Sequence, residues 1–516
     1  MRTGLPVVKR IAFSVLAASA SAFAFASAGS ACRAEVRFAG RRLKVESCRV
    51  SAVPFNRIWP GRQRSLDQTR LSAFVGFDVP DGGGLLELDF GENVPKTARI
   101  RPFSRGQPTL DGGVWRVKVA RPEQFVVEFG DGGELHVFAD PPWTDVPDGP
   151  NVMRFGPGEH HVGAIIPGSG TTVVVERGAT VYGNIVLTEA DDVRVVGRGI
   201  IDGSGNARTD AGYAGSRHLA RNAGRLPEMI EDELHEWGTT PLLAVNCRRL
   251  KVEGVTFRDS PRWTMNIEGC DGVDIRGVKI VGMWRYNSDG IDMCGTKNAV
   301  VADSFVRSFD DCVIARPPFC GMSVSNCVLW CDWGHNMKVQ HADRPSVMEG
   351  ISFADIKAVN VDALLASVTT RYGSTNCTIR GVSFRNIEVD VPAGRLAGRV
   401  QADDAQGFEP TPATRLRLLD MYAYSLGVRT PNQGAPVPVC EDSLRLLYED
   451  VSIDGVRVYT APGEAVEDAA PFSIECRVRT CTGNFEIRDV SLRGLPRCTK
   501  LVKDAAKGTI ADVELR

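Results

Sequence analysis

Between about residue 35 and residue 140, apolar and polar side chains alternate in short runs cut by Gly, Pro and Asp. The clearest runs cover 71–77, 85–90, 114–119 and 125–129. Alternation with period two gives a strand one buried face, and turn residues between such runs favour antiparallel neighbours. The pattern predicts a small N-terminal β-sandwich over 35–145. Pro141-Pro142 and Pro147-Asp148-Gly149-Pro150 read as the linker that follows it.

From residue 150 to residue 516 the pattern becomes a repeat. Similar short strands begin at Leu250, Val273, Val300, Met322, Ile351, Val382, Val451 and Val490. The first intervals are 23, 27 and 22 residues (273−250, 300−273, 322−300), and the next are 29 and 31 (351−322, 382−351). Leucine-rich repeats need a fixed Leu/Asn frame that is missing here, and propeller blades need about 40 residues for four strands. A parallel β-helix remains: each coil pairs with the next, and turns of variable length absorb the unequal spacing. The predicted class is all-β, a right-handed parallel β-helix behind the sandwich. Two stretches interrupt it, 204–240 with a helix-like segment at 228–237, and the Pro/Gly/Arg-rich 391–445. Insertions of this kind commonly wall a binding groove.

Composition narrows the function. The 516 residues carry 61 basic and 63 acidic side chains, a formal charge of −2, which gives no reason to expect a polyanionic partner such as nucleic acid. The 53 glycines suit a fold of many tight turns. Residues 1–28 read as a signal peptide: Arg2, Lys9 and Arg10, then an Ala/Ser/Phe-rich stretch, then Ala26-Ser27-Ala28 as a cleavage site. This predicts a periplasmic or secreted protein with no membrane attachment after processing. Cys32 lacks the branched apolar residue that normally precedes a lipidated cysteine. In an oxidising compartment Cys32 could pair with Cys48, or Cys476 with Cys481, the connectivity being open. Cys327 and Cys331 have no nearby His/Cys pair to complete a zinc site, and nothing indicates a cofactor.

The chemistry concentrates in three segments: Trp284 to Asp292, Ser308 to Cys312, and Asp332 to Lys338. Asp289 and Asp310 are 21 residues apart, close to one coil, so they should lie on adjacent coils about 4.8 Å apart. Asp311 joins them, and His335 lies 24 residues beyond Asp311, one coil further. Crowded carboxylates repel, so one holds a proton near neutral pH. An acid beside ionised partners is what glycoside hydrolysis uses: one carboxyl protonates the leaving oxygen and another activates water. Turn capping and calcium binding are the plain alternatives.

The sequence Asn287-Ser288-Asp289-Gly290-Ile291-Asp292 resembles the Asn-Thr-Asp-Gly-Ile/Phe-Asp motif of glycoside hydrolase family 28. Asp310-Asp311 resembles that family's Asp-Asp pair, and Gly334-His335-Asn336 its Gly-His-Gly motif except at the last position. The resemblance implies an inverting hydrolase in which Asp310 is the general acid, Asp289 and Asp311 hold and deprotonate the water, and His335 supports the acid. Gly282-Met283-Trp284, Asp292-Met293, the Trp330/Trp333 segment and the preceding sandwich are more similar to family 49, the dextranases and isopullulanases. Pectin-cleaving members carry an Arg-x-Lys after the histidine. The corresponding region, 359–368, has none, although Arg371 could substitute. A neutral polysaccharide or oligosaccharide is therefore the favoured substrate and partner, with a pectin-type polygalacturonase as the alternative.

Asn287, Asp292, Trp284, Tyr286, Trp333 and Lys338 are candidate substrate contacts, the aromatics because their faces stack on sugar rings. Trp263 lies close by, Asn266 and Glu268 one coil earlier, and Trp330 reads as core. His160 and His161 read as surface. A polysaccharide lyase or epimerase, with calcium on the aspartates, and a non-catalytic carbohydrate-binding solenoid are the competing functions.

Overall fold

The computed structural model describes residues 32–51, 69–130, 132–144, 146–206, 240–285, 287–341, 346–361, 364–370, 376–391, 398–401, 408–411, 416–423, 445–461, 472–477, 484–505 and 508–515. The signal segment, the helix-like 228–237, Tyr286, Arg371, Cys481 and most of 391–445 lie outside them.

Two five-stranded sheets form the N-terminal sandwich. One runs Arg41–Arg42, Glu35–Phe38, Gly84–Asp89, Val114–Val119, Thr109–Asp111; the other runs Glu46–Ser51, Thr69–Asp78, Glu134–Asp140, Glu123–Phe129, Ala98–Arg101. The alternation seen in the sequence supplies the inner faces: Leu86, Leu88, Trp115 and Val117 from one sheet pack on Val75, Phe77, Val127 and Val137 from the other. One pairing departs from the antiparallel expectation, since Glu134–Asp140 runs parallel to Thr69–Asp78.

Among the described residues from Val152 to Leu515, 30 strands form one sheet that coils on itself, each pairing in parallel with a strand one coil on. Met265, Ile291, Val313 and Met337 stack inside, as do Ile267, Met293, Ala315 and Val339. The repeat frame follows the sequence with one slip. The column runs Leu250, Val273, Ala299, Met322, Ile351, Val382, Val451, Val490, so Ala299 and not Val300 continues it. Two adjacent valines, Val300 and Val301, blur a period-two pattern there, and a one-residue shift exchanges inside for outside. Positive φ at Gly254, Gly277, Asn298, Asp303 and Asn326 turns the chain at the corners, a backbone region that Gly and Asn enter most readily.

The sandwich docks against this rod through a buried seam. Cys48, Val50, Phe74, Val126 and Phe138 meet Ile200, Val281, Phe305, Val328, Trp330 and Val359. Buried ion pairs cross it, among them Arg307–Glu134 at 2.5 Å, Arg101–Asp390 at 3.0 Å, and Lys279–Asp140. Cys32 lies in the sandwich core and Cys48 in the seam, so the two cysteines are not joined, contrary to the pairing considered above.

Candidate active site

Strands Met265–Glu268, Ile291–Cys294, Val313–Arg316 and Met337–His341 form four successive rungs of one face. Because Ile291 and Met293 point into the bore, Asp292 between them points out. The outward column reads Asn266, Asp292, Ile314, Lys338, Ser367, Asp420. Beside it the chain turns a corner at every rung, and these corners carry the catalytic candidates. The Thr264 amide donates to the Asp289 carbonyl, the Gly290 amide to the Asp311 carbonyl, and the Cys312 amide to the His335 carbonyl, which stacks the three segments one rung apart.

This stacking brings Asp289, Asp310 and Asp311 together: one carboxylate oxygen from each lies within 4.8 Å of the other two. All three are buried, Asp310 at 8% exposure and the other two at 2%. Asn287, held in the left-handed conformation at φ 56°, donates its side-chain amide to Asp310 Oδ2 at 3.3 Å. The Asp311 amide donates to Asp310 Oδ1 at 3.0 Å. Both oxygens of Asp311 are committed: the His335 amide and Nδ1 donate to Oδ1 at 3.1 and 2.6 Å, and Lys338 Nζ donates to Oδ2 at 2.8 Å. His335 therefore braces Asp311 and not Asp310, the residue it was expected to support. Three clustered carboxyls could in principle hold a cation, but Asp311 has both oxygens occupied by cationic or N–H donors, which makes the set a poor metal cage.

Gly334 explains why the third segment needs glycine before the histidine. A Cβ there would fall 2.5 Å from Asp310 Oδ1 and 2.7 Å from the Asp310 and Asp311 backbone. Asn336, where the related motif has glycine, is buried and donates to the Leu329 carbonyl at 2.9 Å.

The electrostatics separate the aspartates. Burial and the neighbouring Asp292, Asp310 and Asp311 push the Asp289 carboxyl well above the usual range. Burial would raise Asp311 too, but Lys338 and His335 outweigh it and hold that carboxyl well below the usual range. Burial and Lys338 lower His335, against the pull of Asp311, so its imidazole is neutral with Nδ1–H donating. The patch thus contains an ionised carboxylate fixed by three hydrogen bonds from His335 and Lys338 beside a carboxyl that keeps its proton.

Other predicted contacts fall in different places. Trp284 is buried, donates to Asp259 Oδ1 at 3.1 Å and is covered by the Arg285 guanidinium at 4.9 Å, which makes it a packing residue and removes it as a sugar platform. Trp333 is partly exposed and stacks on Phe309 at 5.8 Å. Trp330 is buried in the seam, as expected of a core residue. Lys338 reaches Asp311 before any ligand. His160 and His161 are at the far end of the rod, on Gly156 and Tyr182.

Sequence reasoning passed over Arg316. It donates to Asp292 Oδ1 at 3.3 Å and to Gln340 Oε1 at 3.1 Å, and lies over the Trp263 ring at 4.7 Å. Its signal was available: Arg316 follows Asp292 by 24 residues, the same separation as His335 from Asp311.

Comparison with known proteins agrees with this geometry. Residues 165–393 match the model of glycosyl hydrolases family 28. The chain is 24% identical over 290 residues to a probable exopolygalacturonase B of Emericella nidulans, covering 53% of this chain and 62% of that protein. It is 26% identical over 214 residues to the probable exopolygalacturonase B of Aspergillus terreus, covering 39% and 45%. The chain thus spans only about half to three-fifths of these relatives' length. The solved structure of Dex49A from Penicillium minioluteum superposes with a TM-score of 0.50 at 15% identity, over 85% of this chain and 83% of that one. Residues 165–393 are thus similar to glycosyl hydrolases family 28, and the chain shares its fold with Dex49A.

Proposed function

We propose that this chain is an exported inverting glycoside hydrolase that cleaves a polysaccharide or oligosaccharide by aspartate acid/base catalysis. The observation that carries the reading is the convergence of one carboxylate oxygen each of Asp289, Asp310 and Asp311 within 4.8 Å of one another, with Asp311 fixed by His335 and Lys338. Asp289 and Asp310 share a proton, and Asp310, the more exposed of the two, delivers it to the leaving oxygen. Asp311, kept ionised, takes the proton of the attacking water.

The carboxyl spacing is shorter than the roughly 6.5–9.5 Å usual for inverting pairs. Two features nevertheless favour inversion over a covalent intermediate. His335 and Lys338 pin Asp311 in place and leave one Oδ2 lone pair for the proton of a water, and Asp289 is the carboxyl that burial keeps protonated. Proton NMR of the first-formed product anomer tests this, inversion giving the opposite anomer to the substrate.

A neutral glycan is the favoured substrate. Basic side chains on this face have carboxyl partners: Lys338 has Asp311, and Arg417 and Arg477 have Asp420. One rung past Lys338, the strand Leu364–Thr370 presents the hydroxyls of Ser367 and Thr369, where a uronate site would use a basic pair. Hydrolysis of a polygalacturonan is the second reading, favoured by the names of the curated relatives. A reducing-end screen over dextran, pullulan, arabinan, galactan and polygalacturonate, with Asp310→Asn as control, decides between them. Release from a neutral glycan that Asp310→Asn abolishes supports the first reading; release from polygalacturonate alone replaces it with the second.

A further inference from the structure

Beneath the three aspartates lies a second pair of buried polar groups that the mechanism does not use. Asn266 and Asp292 are direct partners on adjacent parallel rungs and face the same way, so their Cα atoms are about 4.8 Å apart. They are 4% and 0% exposed. Asn266 Oδ1 and Asp292 Oδ2 are both buried without a hydrogen-bond donor, and so is Asp289 Oδ1 nearby. Three buried acceptor oxygens without donors are costly in one small region.

Charge counting points the same way. Four carboxyls, Asp289, Asp292, Asp310 and Asp311, face two permanent cations, Arg316 and Lys338, while His335 is neutral. Lys338 is spent on Asp311 at 2.8 Å. Arg316 gives Asp292 only one bond of 3.3 Å, where an ionised carboxylate draws a guanidinium to about 2.7–2.9 Å and often in pairs. A carboxylic acid converts one acceptor into a donor. Two protons in this cluster would remove both the excess charge and the missing donors.

Taking the hydrolase reading as given, we propose that Asp292 is a neutral carboxylic acid whose Oδ2–H donates to Asn266 Oδ1. The two are then positioning residues that form an uncharged floor under Asp289 and Asp311, and Asp292 is not a fourth acid or base. Burial is the largest influence on Asp292, opposed by Arg316 and reinforced by Asp311 and Asp310, and pushes its carboxyl up to about 8. Ionisation at higher pH would place a further negative charge beside Asp289 and the reacting water. Activity therefore falls on the alkaline side as Asp292 loses its proton.

The test uses Asp292→Asn, which keeps the shape, can donate to Asn266 through its amide and can accept from Arg316 through its oxygen. Turnover stays within roughly tenfold of wild type, the scale of one altered hydrogen bond, and the alkaline limb loses the step set by Asp292 and keeps only that of the Asp289/Asp310 acid. Asn266→Leu removes the acceptor and moves the alkaline limb to lower pH. A second readout needs no substrate: the infrared carboxylic-acid C=O absorption of the wild type at neutral pH loses one component in Asp292→Asn, while that of the Asp289/Asp310 proton remains. If no glycan is cleaved, the hydrolase reading fails and the infrared difference still decides the protonation of Asp292. An unchanged band overturns the proposal. So does an Asp292→Asn variant that folds normally yet is as inactive as Asp310→Asn.

Discussion

Two buried ionisable clusters sit side by side on the same rungs, and they are built on opposite principles. Arg307 stands three residues before Asp310, and Asp332 three residues before His335. In the seam, Arg307 and Arg70 hold Glu134 at 2.5 and 2.7 Å, and Arg307 lies 3.5 Å from Asp332. Burial alone would raise the Glu134 carboxyl, but the two arginines outweigh it and hold it well below the usual range. Burial lowers His136 to about 4, leaving it neutral. Here two arginines meet two carboxyls, and Glu134 stays ionised. A few residues on, four carboxyls meet two cations and the cluster keeps protons. Burying ionisable groups is common to both clusters; only the unbalanced one, on the outward face, has a proton to give away.

The contrast can be broken at several points, taken from the largest effect on turnover to the smallest. Asp310→Asn removes the proton donor and should lower kcat by about 10²–10⁴, with melting temperature nearly unchanged. Lys338→Met strips Asp311 of one of the two partners that keep it ionised, and kcat should fall by about 10²-fold. The pH dependence gives the sign. Asp311 works as an anion and is lowered by Lys338, so the variant's acid limb moves to higher pH, read from kcat/KM profiles. Gly334→Ala pushes a methyl group against Asp310, displacing the acid and costing up to about 10²-fold in kcat, while circular dichroism still reports a folded rod.

Glu134→Gln acts on the balanced cluster instead. It leaves Arg307 buried with a partner of reduced charge, so about 3–5 kcal/mol of stability should be lost in denaturant unfolding, with kcat changed only a few-fold below the transition. Glu134 is lowered in the folded protein, so its stabilisation is present above the ordinary carboxylate range and lost as pH falls through the lowered value. The variant's acid unfolding should accordingly be less steep.

Much of this architecture could be read from the chain because a solenoid is nearly one-dimensional. Period-two runs marked the sandwich strands, and coil-length spacing placed Asp289, Asp310, Asp311, His335 and Lys338 on neighbouring rungs. What could not be read depends on corners and on long-range contacts. Alternation says which strand residues face out, but nothing about where a corner residue such as Trp284 points, and it packs on Asp259. The seam joins Arg307 to Glu134 across 173 residues, and no local pattern encodes that partner. His335 was tied to the wrong aspartate for the same reason: rung spacing brings it to the Asp310-Asp311 pair, while Gly334 packing against Asp310 leaves Asp311 as the partner.

Product analysis in heavy-oxygen water puts the whole account at risk in one experiment. Wild-type protein should release saturated sugars carrying one solvent oxygen at the new reducing end, and Asp310→Asn should release none. An unsaturated product absorbing in the ultraviolet, formed only while a chelator is absent, would mean that the aspartates hold a metal ion and that water is not the nucleophile.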